Sequence, residues 1–375
     1  MDRTIYFIWL NSTDISLSKK LRLLDCFGNC ESVYFANESE YKETGFLSAE
    51  NIKLLLNKRL GFAEKEYERC LRLGIKLIPI GSGAFPPALS EIPDPPILLY
   101  AKGDVSLLQN RLAFCFVGSR KCTDYGITNS MKFALHLAQA GFVIVSGGAM
   151  GIDSAAHKGA LIAHGKTIAV MGCGLDIDYP TGNKALRKEI AEKGLLISEY
   201  PLSTPAHAFN FPRRNRLLSG LSLGVAVMEA GVHSGALISA EYALQQNRDS
   251  YALPGNIDSV CSAGCNNLIR EGSEMLIDPD QIISEYLPRY AEYFVPADAS
   301  EDEVCNTVKK TVEKINAGST EAEKAVVKLL RRGEQHIDYI ISSVGLPASQ
   351  VTSLLTVMQI KGIIREEAGR YFKLN

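Results

Sequence analysis

The chain has 375 residues, which exceeds the roughly 150 residues of a typical domain and predicts more than one. Hydrophobic residues make up 46% and charged residues 22% of the sequence. This is enough apolar material to bury sizeable cores, so disorder is excluded for most of the chain. Forty Lys and Arg against 42 Asp and Glu give a formal net charge of −2. The chain as a whole lacks the strongly basic charge typical of nucleic-acid-binding proteins, so any anion site must be local.

The N-terminus predicts neither a signal peptide nor a membrane anchor. Residues 1–10 begin with charged residues and lack both a long apolar region and a small-residue cleavage site. Apolar runs elsewhere are far shorter than the ~20 residues that span a bilayer. Nine cysteines, an odd number, indicate free thiols in a reducing compartment. We therefore expect a cytoplasmic protein, and interpret the spaced pairs Cys26/Cys30 and Cys261/Cys265 as ordinary thiols.

Apolar residues at three- and four-residue spacing predict short helices over residues 16–74. Residues 1–75 are therefore predicted to form a small α-helical domain. Proline and glycine are frequent in residues 81–96 and indicate an irregular connector. A first strand is predicted at residues 97–100.

From residue 111 to about residue 286, apolar runs alternate with amphipathic segments. The apolar runs predict strands at residues 112–117, 142–145, 167–171, 195–197, 224–228 and 250–253. The amphipathic segments predict helices at residues 127–140, 153–164, 184–193 and 236–246. Near-continuous apolar strands alternating with helices indicate a parallel sheet covered on both faces. We predict an α/β fold with an extended Rossmann-like, doubly wound, mostly parallel sheet over residues 76–290.

The chain changes character after the predicted sheet domain. Residues 291–320 are polar and poor in large apolar residues, which is typical of a linker. Residues 321–375 show the spacing of three short helices followed by a glycine-containing hairpin, the pattern of a winged-helix domain. Eight Lys or Arg against six Asp or Glu in these residues is too small an excess to predict tight DNA binding from charge alone.

Glycine-containing turns follow several predicted strands. In a doubly wound sheet these turns lie at the carboxyl ends of the strands, where backbone N–H groups and helix N-termini face an anion. The turns are Gly118-Ser119-Arg120, residues 146–153 with Gly147 and Gly148, Met171-Gly172-Cys173-Gly174, and Ser234-Gly235-Ala236. Together they predict an anion-binding edge.

Known nucleotide-binding motifs do not explain this edge. The dinucleotide motif needs an acidic residue about 20 positions after its glycines, and the corresponding strand ends in Met171-Gly172-Cys173. Gly165-Lys166-Thr167 resembles the end of a P-loop. However, the first glycine of that motif is one residue out of register, and Lys166 leads into a strand instead of a helix. Nucleotide hydrolysis is therefore disfavoured.

The most informative segment covers residues 209–220. Its basic, amide and aromatic residues include Phe211, Arg213, Arg214, Asn215 and Arg216, and residues 204–223 contain no acidic residue. Arginine holds phosphate through a fork of donors, and phenylalanine offers any base a stacking face. With Arg120 and Lys166 at neighbouring strand ends, this predicts a local groove for single-stranded nucleic acid. The alternative is a solvated helix start with structural arginines.

Hydrolytic chemistry has weaker support. The sequence contains no GxSxG elbow, and Asp153 and His157 lie one helical turn apart without a recognisable third ligand or nucleophile. We interpret Asp153 as a helix cap and His157 as a hydrogen-bonding residue of the turn region. The alternative is a Rossmann-like nucleotide-binding hydrolase of the nucleoside-monophosphate phosphoribohydrolase type. Glu199 or Glu229 would act in it, although the Gly-Gly-x-Gly-Thr-x-x-Glu signature is missing.

From about Ile75 to Leu276, the order of these motifs closely resembles the DNA-processing protein A family (DprA, also called Smf). The motifs are Val117-Gly118-Ser119-Arg120, Ser146-Gly147-Gly148-Ala149, Gly151-Ile152-Asp153 with His157, Gly172 with Leu175 and Tyr179-Pro180, Ser198-Glu199-Tyr200-Pro201, Phe211-Pro212 with Arg214-Asn215-Arg216, Glu229-Ala230, Ser234-Gly235 and Leu253-Pro254-Gly255. The N-terminal helices, a SAM-like domain by this resemblance, and the C-terminal winged helix fit the family's three-part architecture.

The resemblance implies a cytosolic protein that binds and protects single-stranded DNA during natural transformation and homologous recombination. It implies that the protein loads the RecA recombinase in place of single-strand-binding protein. It implies no catalytic activity, cofactor or metal. Gly118, Ser119 and Arg120 match the family's phosphate-binding turn. The complete set of predicted nucleic-acid-binding residues is Gly118, Ser119, Arg120, Gly147, Gly148, Lys166, Phe211, Arg213, Arg214, Asn215, Arg216, Ser234 and Gly235.

The resemblance also implies a homodimer. The family's dimer surface lies near the end of the core, which corresponds here to about residues 267–277. The apolar candidates for this surface are Leu268, Ile269, Met275 and Leu276.

Overall fold

The computed structural model describes residues 3–294, 321–330, 333–360, 364–367 and 370–374. The chain forms two compact units, Met1–Val308 and Lys309–Asn375, each with its own apolar core. Most of the linker predicted for residues 291–320 lies outside the described residues, so the domain boundaries stay predictions. Within the described ranges, no helix is both long enough and apolar enough to span a membrane.

Short helices open the first unit. They are α1 (Thr4–Ser12), α2 (Leu17–Phe27), α3 (Cys30–Phe35), α4 (Glu38–Glu43), α5 (Ala49–Leu55) and α6 (Gly61–Leu73). The helical character of this region is as predicted, except that α1 was not expected. Most of α1 is apolar and buried, so it lacks the one-sided spacing by which an amphipathic helix is recognised.

These helices pack against one side of the sheet, away from its central strands. Leu23 of α2 belongs to the same apolar cluster as Tyr100 of the sheet. A buried carboxylate adds a polar contact, because Glu66 Oε1 accepts a hydrogen bond from the backbone N–H of Leu202 at 2.6 Å. The N-terminal helices and the sheet therefore belong to one compact unit.

Nine strands of the described residues form a single sheet. They are β1 (Lys76–Pro79), β2 (Leu98–Gly103), β3 (Ala113–Gly118), β4 (Val143–Ser146), β5 (Thr167–Met171), β6 (Leu195–Ser198), β7 (Gly224–Glu229), β8 (Asp249–Ala252) and β9 (Glu274–Met275). Their order is β1-β2-β6-β5-β4-β3-β7-β8-β9. Neighbours from β6 to β9 run parallel, whereas β2 is antiparallel to both β1 and β6. The predicted doubly wound, mostly parallel sheet is confirmed.

Helices cover both faces of this sheet. They are α7 (Pro87–Ser90), α8 (Asp124–Gln139), α9 (Ile152–Ile162), α10 (Lys184–Lys193), α11 (Asn210–Gly220), α12 (Leu237–Gln245), α13 (Ala263–Arg270) and α14 (Pro279–Tyr290). Alternate residues of the central strand β3 enter different cores. Cys115 and Val117 pack on one face, and Phe114 and Phe116 pack on the other. Burial on both faces explains why the strand sequences are almost continuously apolar.

The second unit has the predicted arrangement of three helices and a hairpin. Its elements are α15 (Glu321–Leu330), β10 (Gln335–His336), α16 (Ile337–Val344), α17 (Ala348–Ile360), β11 (Ile364–Glu367) and β12 (Tyr371–Leu374). The three strands form an antiparallel sheet in the order β10-β12-β11. Val326, Ile340, Leu355 and Phe372 are among the residues that fill its core.

The four apolar residues predicted at a dimer surface have different environments. Leu268 and Ile269 are partly buried against the core of the sheet domain, and Met275 is exposed. Leu276 is fully buried in the core below α14, and its backbone N–H donates to the carbonyl of Ala252 at 2.9 Å. Leu276 is therefore used for the chain's own packing and is not open to a partner in this structure, whereas the dimer surface as a whole stays a prediction.

Candidate nucleic-acid interface

A cavity of about 310 Å³ opens at the carboxyl edge of the sheet. Its walls come from the turn after β3, from residues between β4 and α9, from α11 and from the start of α12. The predicted residues that line it are Gly118, Ser119, Arg120, Phe211, Arg214, Asn215, Ser234 and Gly235. The strands β4 and β7 lie on opposite sides of β3, and α/β sheets bind ligands in the crevice at such a switch point. The fold thus brings together the turns that the sequence predicted to share one edge.

An exposed arginine and two half-buried aromatic rings meet at the mouth of the cavity. The guanidinium carbon of Arg120 lies 4.9 Å from the centroid of the Phe211 ring, which is within the range of a cation–π contact. Arg120 Nη1 also donates to the Tyr179 hydroxyl at 3.2 Å. A Cβ at Gly172 would lie 2.9 Å from the Phe211 ring, so glycine lets the ring pack against the backbone. Arg120 itself is exposed, so its remaining donors are available to an anion.

Arg214 is built into the wall of the cavity. Arg214 is only 4% exposed. Its Nη1 donates to the carbonyl oxygen of Gly147 at 2.8 Å and to that of Val170. A Cβ at Gly147 would lie 2.6 Å from Arg214 Nη2 and 2.6 Å from Asp153 Oδ2. Glycine at this position therefore allows both charged groups to approach the backbone. The backbone of Gly148 is also held in place, because its carbonyl accepts a hydrogen bond from Asn183 Nδ2 at 3.0 Å.

Asn215 connects two walls of the cavity. Its Nδ2 donates to the carbonyl of Gly235 at 3.1 Å, and its Oδ1 accepts a hydrogen bond from Arg214 Nε at 3.3 Å. The side chain thereby ties α11 to the turn before α12. This amide positions the predicted binding turn Ser234-Gly235 as well as lining the cavity.

Arg216 has an internal partner. It is 3% exposed, and its Nη1 and Nη2 donate to the two carboxylate oxygens of Glu199 at 3.1 and 2.6 Å. Glu199 lies outside residues 204–223, which contain no acidic residue, and the fold brings it into contact with Arg216. Arg216 is therefore held in a buried, bidentate ion pair, as the structural-arginine alternative expected. Arg213, by contrast, is exposed.

Lys166 lies at the amino ends of the parallel strands, opposite the carboxyl edge at which the cavity opens. It directly precedes β5, whereas Arg120 follows β3, and the strands β3, β4 and β5 run parallel. Lys166 Nζ donates to the carbonyl of Lys193 at 3.3 Å. Lys166 therefore lies away from the cavity, because the start of one strand and the end of its parallel neighbour lie at opposite edges, and its contact with nucleic acid stays a prediction.

Asp153 and His157 also differ from their interpretations. The N-cap of α9 is Gly151, whereas Asp153 lines the cavity and its Oδ2 accepts a hydrogen bond from the backbone N–H of Ala149 at 3.2 Å. Burial raises the pKa of Asp153, and the nearby Arg214 guanidinium opposes this by favouring the carboxylate. His157 is buried with Nδ1 2.7 Å from Thr167 Oγ1. Burial, reinforced by the charge of Arg214, lowers its pKa to about 3.

The two carboxylates of the hydrolase alternative are both engaged within the protein. Glu199 holds Arg216, as described above. Glu229 is buried, and its Oε2 accepts a hydrogen bond from the backbone N–H of Thr123 at 2.9 Å. Burial raises the pKa of Glu229. Each side chain therefore has a structural role beside the cavity.

Several lining residues were not predicted. They include Ala149, Asp153, Ala208, Pro212, Ala236 and Ser239. Apart from Asp153, these residues are small or apolar and provide shape instead of charge, so their role has no signature in the sequence. Tyr179, the partner of Arg120, was part of the Tyr179-Pro180 motif, but its contact with Arg120 spans 59 positions. Only the fold reveals it.

Comparison with known proteins assigns this architecture to a family. The profile of the DNA recombination-mediator protein A family matches residues 76–287. The chain belongs to the DNA recombination-mediator protein A family. A second profile, that of the DprA winged helix domain, matches residues 312–370. The resemblance to the DprA/Smf family is thereby confirmed, and the matched region contains the whole cavity.

Relatives of this family member cover most of its length. Protein Smf of Synechocystis sp. is 34% identical over 308 residues, which cover 77% of each chain. The crystal structure of DprA from Streptococcus pneumoniae has a TM-score of 0.68 and 33% identity, covering 75% of this chain and 97% of that chain. The structure of DprA from Helicobacter pylori, a protein with a unique single-stranded DNA binding mode, matches with a TM-score of 0.53 and 34% identity. That match covers 58% of this chain and 97% of that chain.

Proposed function

We propose that this member of the DNA recombination-mediator protein A family binds single-stranded DNA at the cavity on the carboxyl edge of its sheet. The observation that carries the proposal is the exposed Arg120 guanidinium over the Phe211 ring, beside the turns Gly118-Ser119 and Ser234-Gly235. A guanidinium binds phosphate through forked donors, and an aromatic ring stacks on any base. The single-stranded DNA binding mode of the Helicobacter pylori relative supports the same ligand.

Binding in a salt series tests this proposal. Fluorescence anisotropy of a labelled oligodeoxythymidine with the full chain should show log K falling with log[salt] by about 0.7 per neutralised phosphate. Arg120→Ala should weaken binding and flatten this slope, because it removes a phosphate contact. Duplex of equal length should bind more weakly, because its bases are not free to stack on Phe211.

The matched control is Arg59→Ala, which removes an exposed arginine between α5 and α6. It should leave both the affinity and the salt slope as in the parent. Equal binding by the parent and Arg120→Ala at every salt concentration would contradict the proposed site.

We propose further that DNA binding protects incoming single strands and loads the RecA recombinase onto them in the cytoplasm, in place of single-strand-binding protein. Natural transformation and homologous recombination are the processes served. This part is supported by the family resemblance. It is tested by recombinase-filament formation on single strands precoated with single-strand-binding protein. Filaments that form no faster with the protein than without it would contradict recombinase loading. The homodimer also stays a prediction.

The hydrolase alternative makes a different prediction for the same cavity. Nucleoside monophosphates incubated with the protein would release free base, which chromatography detects. Release that is abolished in Glu229→Gln would favour the enzyme. We favour binding without chemistry because both candidate carboxylates are held by partners within the protein.

A further inference from the structure

We infer that Phe209, backed by His207, is a second base-stacking platform outside the cavity. This inference rests on the proposed binding of single-stranded DNA. The two rings are nearly parallel, with an interplanar angle of 8° and centroids 5.2 Å apart. Phe209 is 71% exposed, so most of its ring surface is open to a ligand. A nucleobase stacked on this ring would continue the aromatic pair.

Hydrogen bonds hold the backbone of the platform in place. Asn210, which follows Phe209, is buried, and its Nδ2 donates to the carbonyl oxygens of Gly172 at 3.0 Å and Pro205 at 3.3 Å. The backbone N–H of Asn210 donates to the carbonyl of His207 at 3.0 Å. An aromatic residue on an ordered backbone loses little conformational entropy when a ligand stacks on it. The exposed ring is therefore already arranged for binding.

The platform lies next to the cavity. Ala208, between the two rings in sequence, lines the cavity together with Phe211. A strand that leaves the cavity past Ala208 would therefore come close to the Phe209 ring. The platform therefore extends the proposed DNA site.

The charge around the platform favours nucleic acid. Phe209 has helical backbone angles at the start of α11 and precedes the exposed Arg213 by four residues. Residues four apart lie on the same face of a helix, so an open ring and a guanidinium share one surface. These groups match the base and the phosphate of one nucleotide. Single exposed apolar residues are common on protein surfaces, but the stacked partner and the absence of acidic residues from 204–223 distinguish Phe209.

Phe209→Ala in the full chain tests the platform with oligodeoxythymidines of increasing length. Loss of one base stack should weaken binding about tenfold for oligomers long enough to reach the platform. Oligomers that fill only the cavity should bind as they do to the parent. The slope of log K against log[salt] should not change, because the substitution removes no charge. Arg120→Ala, by contrast, should change that slope.

Phe209→Trp gives a direct signal of stacking. It should retain the affinity of the parent, and its fluorescence should be quenched by the long oligomers. The natural Trp9 is buried in the N-terminal helices, so it should not respond to them. The matched control is Phe62→Ala, which removes another exposed phenyl ring, 53% exposed, from α6 and should bind DNA as the parent does.

The outcomes separate the two proposals. Parent-like affinity of Phe209→Ala at every oligomer length, with no quenching in Phe209→Trp, would overturn the platform and leave the cavity site intact. Absence of single-stranded DNA binding by the parent would overturn both. Weakening that is equal for short and long oligomers would also overturn the platform, because it would indicate damage to the cavity instead of loss of a distal stack.

Discussion

The turn after β3 and the first turns of α11 both supply arginine to one cavity, but they use it differently. Arg120 in the turn is exposed and keeps donors free for a ligand. Arg214 and Arg216 in the helix are buried, and their guanidinium groups donate to carbonyl and carboxylate oxygens of the protein. A buried charge must be satisfied internally, whereas an exposed charge can exchange water for a ligand. The same residue type is therefore engaged within the protein in one region and open to the proposed ligand in the other.

The largest effect that tests this difference is expected for Arg216→Ala. It would leave Glu199 buried without a partner and should lower the free energy of unfolding by about 3–5 kcal/mol. Urea unfolding followed by circular dichroism measures this. The pair Arg216→Met with Glu199→Gln should recover much of the loss, since no buried charge remains. A loss under about 1 kcal/mol, typical of exposed ion pairs, would show that Arg216 is not a structural residue.

Lowering the pH should have a smaller effect on the free energy of unfolding, through the buried His157 near Arg214. Burial lowers the pKa of His157 to about 3, whereas an unfolded histidine titrates near pH ~6.5. Between these values the unfolded chain binds a proton that the folded chain does not. Stability should therefore fall with decreasing pH, by up to about 1.4 kcal/mol per pH unit from this group.

Urea unfolding at pH 7.5 and pH 5 measures this contribution. The parent should lose about 2 kcal/mol more than His157→Gln between the two conditions. The glutamine variant keeps a polar side chain at the position but has no titrating group. An identical pH dependence of both proteins would show that His157 is not held neutral by burial.

The smallest effect separates the two edges of the sheet. Arg213→Ala should weaken single-stranded DNA binding and reduce the salt slope by about 0.7, without changing the free energy of unfolding. Its matched control is Lys166→Ala, which removes an exposed cation at the opposite edge and should alter neither quantity. Anisotropy titrations of both variants measure this. Equal weakening by the two substitutions would contradict a site confined to the carboxyl edge.

Strands that are buried on both faces could be predicted from the sequence, whereas exposed edge strands could not. The central strands β3 to β8 were predicted to within two residues, because burial on both faces makes β3 to β7 almost continuously apolar and places Tyr251 and Ala252 of β8 in the core. The edge strands β1 and β9 were missed. Only Ile78 of the four residues of β1 is fully buried, and both residues of β9 are exposed, so neither strand forms a buried apolar run long enough to stand out. The helix α1 was missed for the opposite reason, since it is apolar nearly all round.

The sequence by itself determined the α/β architecture, the winged helix and the edge of the sheet at which the glycine turns meet. Local periodicity and turn chemistry specify these features within short stretches of chain. Tertiary structure alone decided which cations are exposed at the cavity and which are buried or lie elsewhere. Glu199 neutralises Arg216 from another element, and the direction of β5 takes Lys166 to the far edge. Burial and charge pairing depend on residues distant in the chain, so a basic segment shows its binding residues only after it is folded.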